Sequence, residues 1–479
     1  MLLLLLVVVP LVGAAVVSVL GDRHRERLGL GACLASAATG CGLVLDVWRE
    51  GIREWQLTSP VGLEIVLVAD GLSAALVGMT AVAGGFVAAF AAAQHRTVPD
   101  ERHRAYWPLY LLLWAGLHTL FVAGDLFTIY LMLELIGICG AALVVLGGDR
   151  RALRAGTRYF FAEFAASATF LLGVALVWAE AGTVTLRDLP EGVATTPLGA
   201  AGLAFMTAGL LLKVPLVPLH FWLPGAHWLA PSTVSPILSG VVVKTAFAVL
   251  IRLWFVAMPG SPPASAHLLG ALGAAAVLWG SLNALRVGPV KLLVAHSTVA
   301  QLGFMFLLVP LARDGATTAW NGGIIQAVAH APAKAAALMA VAVLVRDSPG
   351  DTVSDMAGAA ARRPLSVFAF GVASLSLVGL PPSGGFLAKW YLLLGSFDTG
   401  QWWWAVVIVV GSLLTAAYLM RVIKQSFAPA PAGWEPVVSR DRREVIALGL
   451  ALAALAMGLR PSELLDLLQV GAPVLGAMS

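Results

Sequence analysis

Long apolar runs recur along this chain, and each ends at a charged, proline or glycine residue. The breaks delimit segments 1–20, 29–46, 62–93, 105–122, 124–147, 158–180, 197–219, 232–256, 266–284, 289–311, 319–345, 364–394, 402–424 and 443–459. A helix needs about 20 apolar residues to cross the hydrocarbon core of a bilayer. The pattern therefore predicts an all-α polytopic membrane protein of about fourteen transmembrane helices. The runs are too long and too uniformly apolar for the alternating strands of a membrane barrel. No soluble domain interrupts them, and the longest loop, 425–442, is short and proline-rich. Four regions follow: N-terminal helices 1–3 over 1–103, five helices over 104–256, five more over 257–424, and a last loop and helix over 425–479.

Composition points the same way. Of 479 residues, 59% are hydrophobic and 12% charged, against roughly 25% charged in soluble domains. The net charge of +4 is spread over short loops, which excludes a nucleic-acid surface. Cys33, Cys41 and Cys139 sit in apolar runs without CxxC spacing and read as packing residues, not as a disulfide framework or an iron–sulfur site. Residues 1–20 have no positive start and no small-residue cleavage site before Gly21-Asp22-Arg23, so they read as the first membrane helix and not as a signal peptide. No soluble GxGxxG unit is present. No cofactor and no metal is therefore expected in this chain, and any redox chemistry belongs to partner subunits.

The loop cations fix an orientation. With the N-terminus outside and alternating loops, the cytoplasmic loops hold 20 Lys and Arg, among them Arg96, Arg102, Arg150, Arg151, Arg363, Arg440, Arg442 and Arg443. The opposite side holds six: Arg49, Arg53, Arg187, Arg252, Arg313 and Arg460. This positive-inside pattern predicts a plasma-membrane protein with an even number of helices and both termini outside.

Four of the 30 cations remain, and they fall inside apolar segments: Lys213, Lys244, Lys334 and Lys389. All four are lysine, although 24 of the 26 loop cations are arginine. Arginine keeps its proton in a protein, whereas a buried lysine can release its own. A lysine at a helix centre costs about 2.5–3.5 kcal/mol on insertion scales, so these side chains should face the bundle interior and have partners. Glu134, midway along the fifth predicted helix, is the obvious acidic partner, and Asp125 lies near the outer end of the same helix. His118, His220, His227, His296 and His330 add further candidate stations. Bland alternatives stand beside these. A single membrane lysine can snorkel from a helix end, a doubt that bears most on Lys334 and Lys389, and His118 and His296 fit as packing histidines. Glu163 reads as neutralised by nearby Arg158, Asp70 as a helix cap or interface residue, and the fifteen tryptophans as an interfacial belt.

Two predicted helices carry their own interruption. The seventh reads Leu212-Lys213-Val214-Pro215-Leu216-Val217-Pro218, and the twelfth reads Val378-Gly379-Leu380-Pro381-Pro382-Ser383-Gly384-Gly385. Proline removes an amide and clashes with the preceding turn, so both helices should break inside the bilayer and free carbonyls there. Paired interruptions in two halves of a transporter point to a translocation site at the repeat interface. The layout is thus two inverted five-helix repeats, predicted helices 4–8 and 9–13, with breaks in the seventh and twelfth.

With these residues in view, the chain resembles the proton-conducting antiporter-like family. That family includes large membrane subunits of respiratory complex I, of membrane-bound hydrogenases and of Mrp sodium/proton antiporters. The stretches that carry the likeness are Lys213-Val-Pro-Leu-Val-Pro-Leu-His-Phe-Trp-Leu-Pro-Gly-Ala-His227, Ala230-Pro-Ser-Thr-Val-Ser-Pro236 and Ser239-Gly-Val-Val-Val-Lys244. Val294 to Gly303, His330-Ala-Pro-Ala-Lys334 and Gly379 to Trp390 add to them. The resemblance implies that Glu134 pairs with Lys213, that Lys244 and His330 form the central relay, and that Lys389 is the terminal site. Departures are Gly225 where an acid is usual, Ser239 at a frequent histidine position and Thr245 after the helix-8 lysine. Gly225 is closer to the Mrp and hydrogenase branches. The chain also ends soon after the fourteenth helix, without the long lateral helix of the largest complex I subunit.

The expected function is a proton-translocating subunit driven by partner subunits of an NADH:quinone oxidoreductase- or hydrogenase-type complex, moving protons through a buried Glu/Lys/His relay. An alternative is the large subunit of an Mrp-type sodium/proton antiporter. A third, of another class, is a structural or assembly subunit, and four retained intramembrane lysines argue against it. Partners would be other membrane subunits, the lipid bilayer, and protons with or without sodium.

Overall fold

A computed structural model of the chain describes residues 1–19, 22–58, 64–97, 103–257, 259, 262–313, 316–430 and 441–472. Arg102, Arg440 and most of the 425–442 loop, together with the predicted helix start at 62–63, lie outside the described residues. In chain order the elements begin with α1 (Leu2–Val19), α2 (Asp22–Glu50), β1 (Arg53–Thr58), β2 (Glu64–Ala69), α3 (Gly71–Thr97), α4 (His103–Val122), α5 (Leu126–Val145) and α6 (Arg150–Ala181). There follow α7 (Pro197–Lys213), α8 (Leu223–Leu229), α9 (Ser235–Gly240), α10 (Thr245–Arg252), α11 (Pro263–Arg286), α12 (Val290–Phe306), α13 (Leu308–Arg313) and α14 (Thr317–Arg346). The last are α15 (Ala359–Arg362), α16 (Pro364–Val378), α17 (Gly384–Asp398), α18 (Trp402–Ser426), α19 (Arg442–Ala456) and α20 (Pro461–Gln469).

Among the described residues, 11 helices are long and apolar enough to cross a membrane, or 12 if α19 and α20, bent by 68° across a short break, form one span. The expected count of about fourteen is higher because proline splits two of the expected crossings, and the last, 443–459, holds only the 15-residue α19. α7 has 17 residues and α16 has 15, each too short to span alone. The outer faces fit a bilayer. Leu131, Ile138, Phe161, Phe164, Leu172 and Trp178 all point outward from α5 and α6. The inward face of α6 follows helical spacing: Tyr159, Ala162, Glu163, Ala166, Ser167, Phe170 and Gly173 are buried.

The all-α expectation needs a correction. β1 and β2 pair antiparallel, from Arg53 opposite Ala69 to Thr58 opposite Glu64. The predicted helix 62–93 thus begins as a strand, where β-branched Ile65, Val66 and Val68 favour extended backbone. This hairpin braces the α4–α5 junction, because Gly124 N donates to Val66 O at 2.7 Å.

A second correction concerns the predicted helix 232–256. α9 stops at Gly240, a 3₁₀ turn runs Val242–Lys244, and α10 resumes at Thr245. Gly240 and the β-branched run Val241-Val242-Val243 weaken the helix here. The tryptophans also divide: Trp402 and Trp403 are exposed, but Trp107, Trp114, Trp222 and Trp320 are fully buried. They are core residues and not belt residues.

α14 is the axis of the second half. It is buried almost continuously from Ala319 to Leu344 and packs against α3, α9, α12, α16, α17 and α19. α6 and α7 meet along a glycine seam. A Cβ on Gly173 would lie 2.6 Å from Gly202 O, and one on Gly209 would lie 2.5 Å from Ala166 O. Close backbone approach of this kind stands in for hydrophobic drive between membrane helices, and it sets α6 beside α7 where their charged side chains meet.

Candidate functional site

The first cluster joins α5, α6 and α7. Lys213 ends α7 directly before the Pro215/Pro218 break, and its Nζ lies 2.7 Å from Glu163 Oε2. Both side chains are buried, and Nζ also reaches Leu133 O at 3.5 Å. Glu163 leans over α5 at Gly137, where a Cβ would stand 3.3 Å from Oε2. A glycine there leaves room for the carboxylate. One turn before Glu163, the ring of Tyr159 stacks on Trp222 at 4.6 Å, and Trp222 Nε1 donates to Leu212 O at 2.9 Å. These contacts staple the broken end of α7.

The expected Glu134–Lys213 pair is therefore replaced by Glu163–Lys213. Glu134 is half-buried, three residues before Gly137, and no side-chain partner for it is found among the described residues. The assignment of Glu163 to Arg158 fails for a geometric reason. Five residues advance a helix by about 140° past a full turn, so Arg158 points outward while Glu163 joins the buried stripe. That stripe was present in the sequence and would have identified Glu163.

The second cluster lies where α9 and the following 3₁₀ turn meet α12 and α14. Lys244 sits in the 3₁₀ turn, donates to Ser239 O at 2.9 Å and approaches His330 Nδ1 at 2.5 Å. An amine that donates to Nδ1 requires a neutral imidazole with its proton on Nε2. That Nε2 is buried without a hydrogen-bond partner. One turn further along α14, beyond Pro332, Lys334 donates to Ser297 Oγ and reaches Val294 O at 3.4 Å. Ser239 and Thr298 hydroxyls join α9 to α12 at 2.7 Å. Lys334 is fully buried, which rules out snorkelling.

The third cluster is the break between α16 and α17, at Pro381 and Pro382. Lys389 Nζ donates to Leu377 O at 3.0 Å and Val378 O at 2.8 Å, the carbonyls that the break frees. Its ammonium lies 4.4 Å from the centre of the Phe304 ring. Lys389 is 4% exposed and does not snorkel either. Gln301 Nε2 donates to the same Leu377 carbonyl at 3.1 Å, and Gln326 Nε2 donates to Gln301 Oε1 at 2.9 Å. Tyr418 OH donates to Thr415 Oγ1 at 3.3 Å, and Gln301 Nε2 lies 3.4 Å from that oxygen. Gln301, Gln326, Thr415 and Tyr418, which the structure brings to this cluster, were not among the sequence candidates, because polar residues uncharged at neutral pH do not stand out in apolar runs.

The remaining candidates separate. Asp125 caps α5 by accepting from Thr128 N at 2.7 Å and also accepts from Val66 N at 3.1 Å. Backbone amides engage both its oxygens, so it is an anchor for the hairpin and not a station beside the lysines. His118 accepts from Trp114 Nε1 at 2.8 Å and packs as a core histidine. His227 is buried, with Nδ1 unpartnered, within electrostatic reach of Lys244, Lys291 and Lys334. His220 and His296 lie within electrostatic reach of each other, and the Nδ1 atoms of both lack partners among the described residues. Lys291, counted with the loops in the sequence, starts α12 and donates to Ala230 O.

Comparison with known proteins supplies the context. Residues 123–415 match the family model described as NADH:quinone oxidoreductase/Mrp antiporter, TM. The chain is 32% identical to NADH-quinone oxidoreductase subunit N of Desulforudis audaxviator (strain MP104C), covering 88% of this chain and 86% of that protein. It is 27% identical to an Na(+)/H(+) antiporter subunit of Bacillus subtilis (strain 168), again covering 88% and 86%. A chain in the structure of the Mrp complex from Dietzia sp. DQ12-45-1b has the same fold, with a TM-score of 0.87 at 24% identity over 100% of this chain and 99% of that one.

Proposed function

The chain belongs to the NADH:quinone oxidoreductase/Mrp antiporter transmembrane family, and on that premise we propose that it is a proton-translocating subunit of a multisubunit membrane complex. The observation that carries this reading is the burial of Lys213, Lys244, Lys334 and Lys389 in one bundle, with the buried carboxylate of Glu163 against the first of them. Charged groups in a membrane interior are costly, and apolar side chains would fill these positions at less cost.

The chemistry of each cluster supports a relay. Glu163 and the Lys213 amine stand 2.7 Å apart, close enough for a proton to pass between them. Glu134 is the second carboxylate within reach of this region, and withdrawal of negative charge from Lys213 frees its proton to move on. Lys244 and His330 share one hydrogen bond, so a proton arriving on either drives one off the other. Lys334 and Lys389 continue the series to the second break, where two free carbonyls at a helix C-terminus hold an ammonium. Redox or ion-gradient energy enters through partner subunits of an NADH:quinone oxidoreductase or hydrogenase type, and no cofactor is assigned to this chain.

Fourteen crossings follow when α7–α8, α16–α17 and α19–α20 each count as one broken span. Helices 4–8 (104–256) and 9–13 (257–424) are then the two inverted repeats, each with its break on the fourth helix. Both termini are assigned to the outside of the plasma membrane.

The test is proton flux by the assembled complex in inverted vesicles. Lys213→Met and Lys244→Met should each abolish flux, and full flux in both would overturn the relay. A second reading, an Mrp-type sodium/proton antiporter module, is favoured by the similarity to the Bacillus subtilis protein over 88% of this chain. Restoration of sodium tolerance to an antiporter-deficient host would select it.

A further inference from the structure

The arginine-rich side of the molecule carries a cavity of about 520 Å³ that none of the relay residues lines. Five arginines surround it: Arg96 at the end of α3, Arg346 at the end of α14, Arg363 just before α16, and Arg442 and Arg443 in the first turn of α19. Its other wall is apolar, built from Leu30 of α2, Ala89, Ala92 and Ala93 of α3, and Ile446 of α19.

Among the described residues, carboxylates do not balance these arginines. Arg363 is committed to Asp347 at 2.6 Å and Glu444 at 3.0 Å. Arg443 is committed to Asp441 and Gln94. Arg346 lies 4.0 Å from Asp347, a carboxylate that Arg363 already holds. Arg96 and Arg442 have no acidic partner among the described residues. Among those same residues, Asp441 is the one carboxylate lining the cavity, and Arg443 holds it. The cavity is therefore a positively charged mouth above an apolar wall.

We propose that this cavity binds the phosphodiester headgroup of an acidic glycerophospholipid, with Arg96 and Arg442 as its principal phosphate ligands. The planar guanidinium fork matches phosphate oxygens, and basic pockets between helices on the positive side of a membrane protein suit anionic headgroups. The alanine run of α3 presents small side chains, against which an acyl chain lies close to the backbone. A free phosphate would satisfy the arginines and leave this wall unmatched, which is why the assignment is to a lipid.

The test is native mass spectrometry of the full chain in mild detergent, titrated with phosphatidylglycerol, phosphatidylcholine or inorganic phosphate. Phosphatidylglycerol should bind at least roughly tenfold more tightly than phosphatidylcholine, and Arg96→Gln with Arg442→Gln should remove that preference. Arg96→Lys with Arg442→Lys should retain part of it. Equal binding of the two lipids, or an unchanged preference in the double glutamine variant, would overturn the proposal. Displacement of phosphatidylglycerol by millimolar phosphate would also overturn it, as the mark of a soluble-anion site. If the double glutamine variant does not fold, Arg96→Gln alone carries the same test, because the side chain of Arg96 bonds to no described residue.

Discussion

At the scale of single residues, the four intramembrane lysines were legible because arginine fills nearly every other cationic position. Their partners were not. Glu134 stood out as the carboxylate at the centre of an apolar run, whereas Glu163, beside a basic segment, suggested local neutralisation. Burial, and not sequence neighbourhood, selects Glu163, and its spacing from Tyr159, Ala166 and Phe170 on the inward stripe of α6 carries that information. The two carboxylates should separate experimentally. Glu163→Gln leaves the Lys213 amine buried without its counter-charge, which typically destabilises by about 3–5 kcal/mol, so both the thermal midpoint and the proton flux should fall. Glu134→Gln removes no contact that holds the fold together, so the midpoint should stay while flux is lost. Measuring both quantities on both variants decides the matter, and wild-type flux with Glu134→Gln would remove Glu134 from the relay. Adding Lys213→Met to Glu163→Gln should recover most of the stability and none of the flux.

At the scale of elements, closely spaced prolines made the interruptions after Lys213 and Val378 visible, since each removes an amide and clashes with the preceding turn, whereas the single Pro332 leaves α14 continuous. The 3₁₀ turn at Lys244 was not visible, because valine and glycine only weaken a helix and packing decides the outcome. The β1–β2 hairpin was hidden for a related reason: a six-residue apolar strand directly before an apolar helix does not differ from it in periodicity. The second break depends on close backbone contact. A Cβ on Gly385 would stand 1.8 Å from Ser376 O, whereas one on Gly371, on α16, would meet nothing within 4 Å. Gly385→Ala should therefore push α17 from α16, pull Lys389 off the Leu377 and Val378 carbonyls, and lower the thermal midpoint by an amount equivalent to about 1–3 kcal/mol or more. Gly371→Ala should be neutral or slightly stabilising, since alanine is the better helix former. Equal midpoints for the two variants would mean that the break tolerates a wider gap than its contacts imply.

At the scale of the whole molecule, charge is sorted into three layers. Arginines crowd one rim, lysines without loop function occupy the interior, and a few ion pairs lock the opposite rim. The outer lock is Arg252, which ties α10 to the start of α3 through Asp70 at 2.9 Å and Ser73 at 2.6 Å, while Asp70 also caps α3 at Ser73 N. Arg252→Met should leave that half-buried carboxylate without its counter-charge, read as a lower thermal midpoint with proton-relay residues untouched. The rim asymmetry predicts one orientation of the chain in the membrane, and the sidedness of each loop tests it. Of the three native cysteines, Cys33 and Cys139 are buried and Cys41 is exposed, so a Cys41→Ser background leaves no accessible thiol. In that background, Glu191→Cys, in the α6–α7 connection, should react with a membrane-impermeant maleimide in intact cells. Arg150→Cys, at the start of α6 on the arginine-rich rim, should react only after the membrane is opened. The opposite result would invert every loop together, because the helices alternate, and it would place the entry and exit ends of the lysine series on the wrong sides for the orientation we assign.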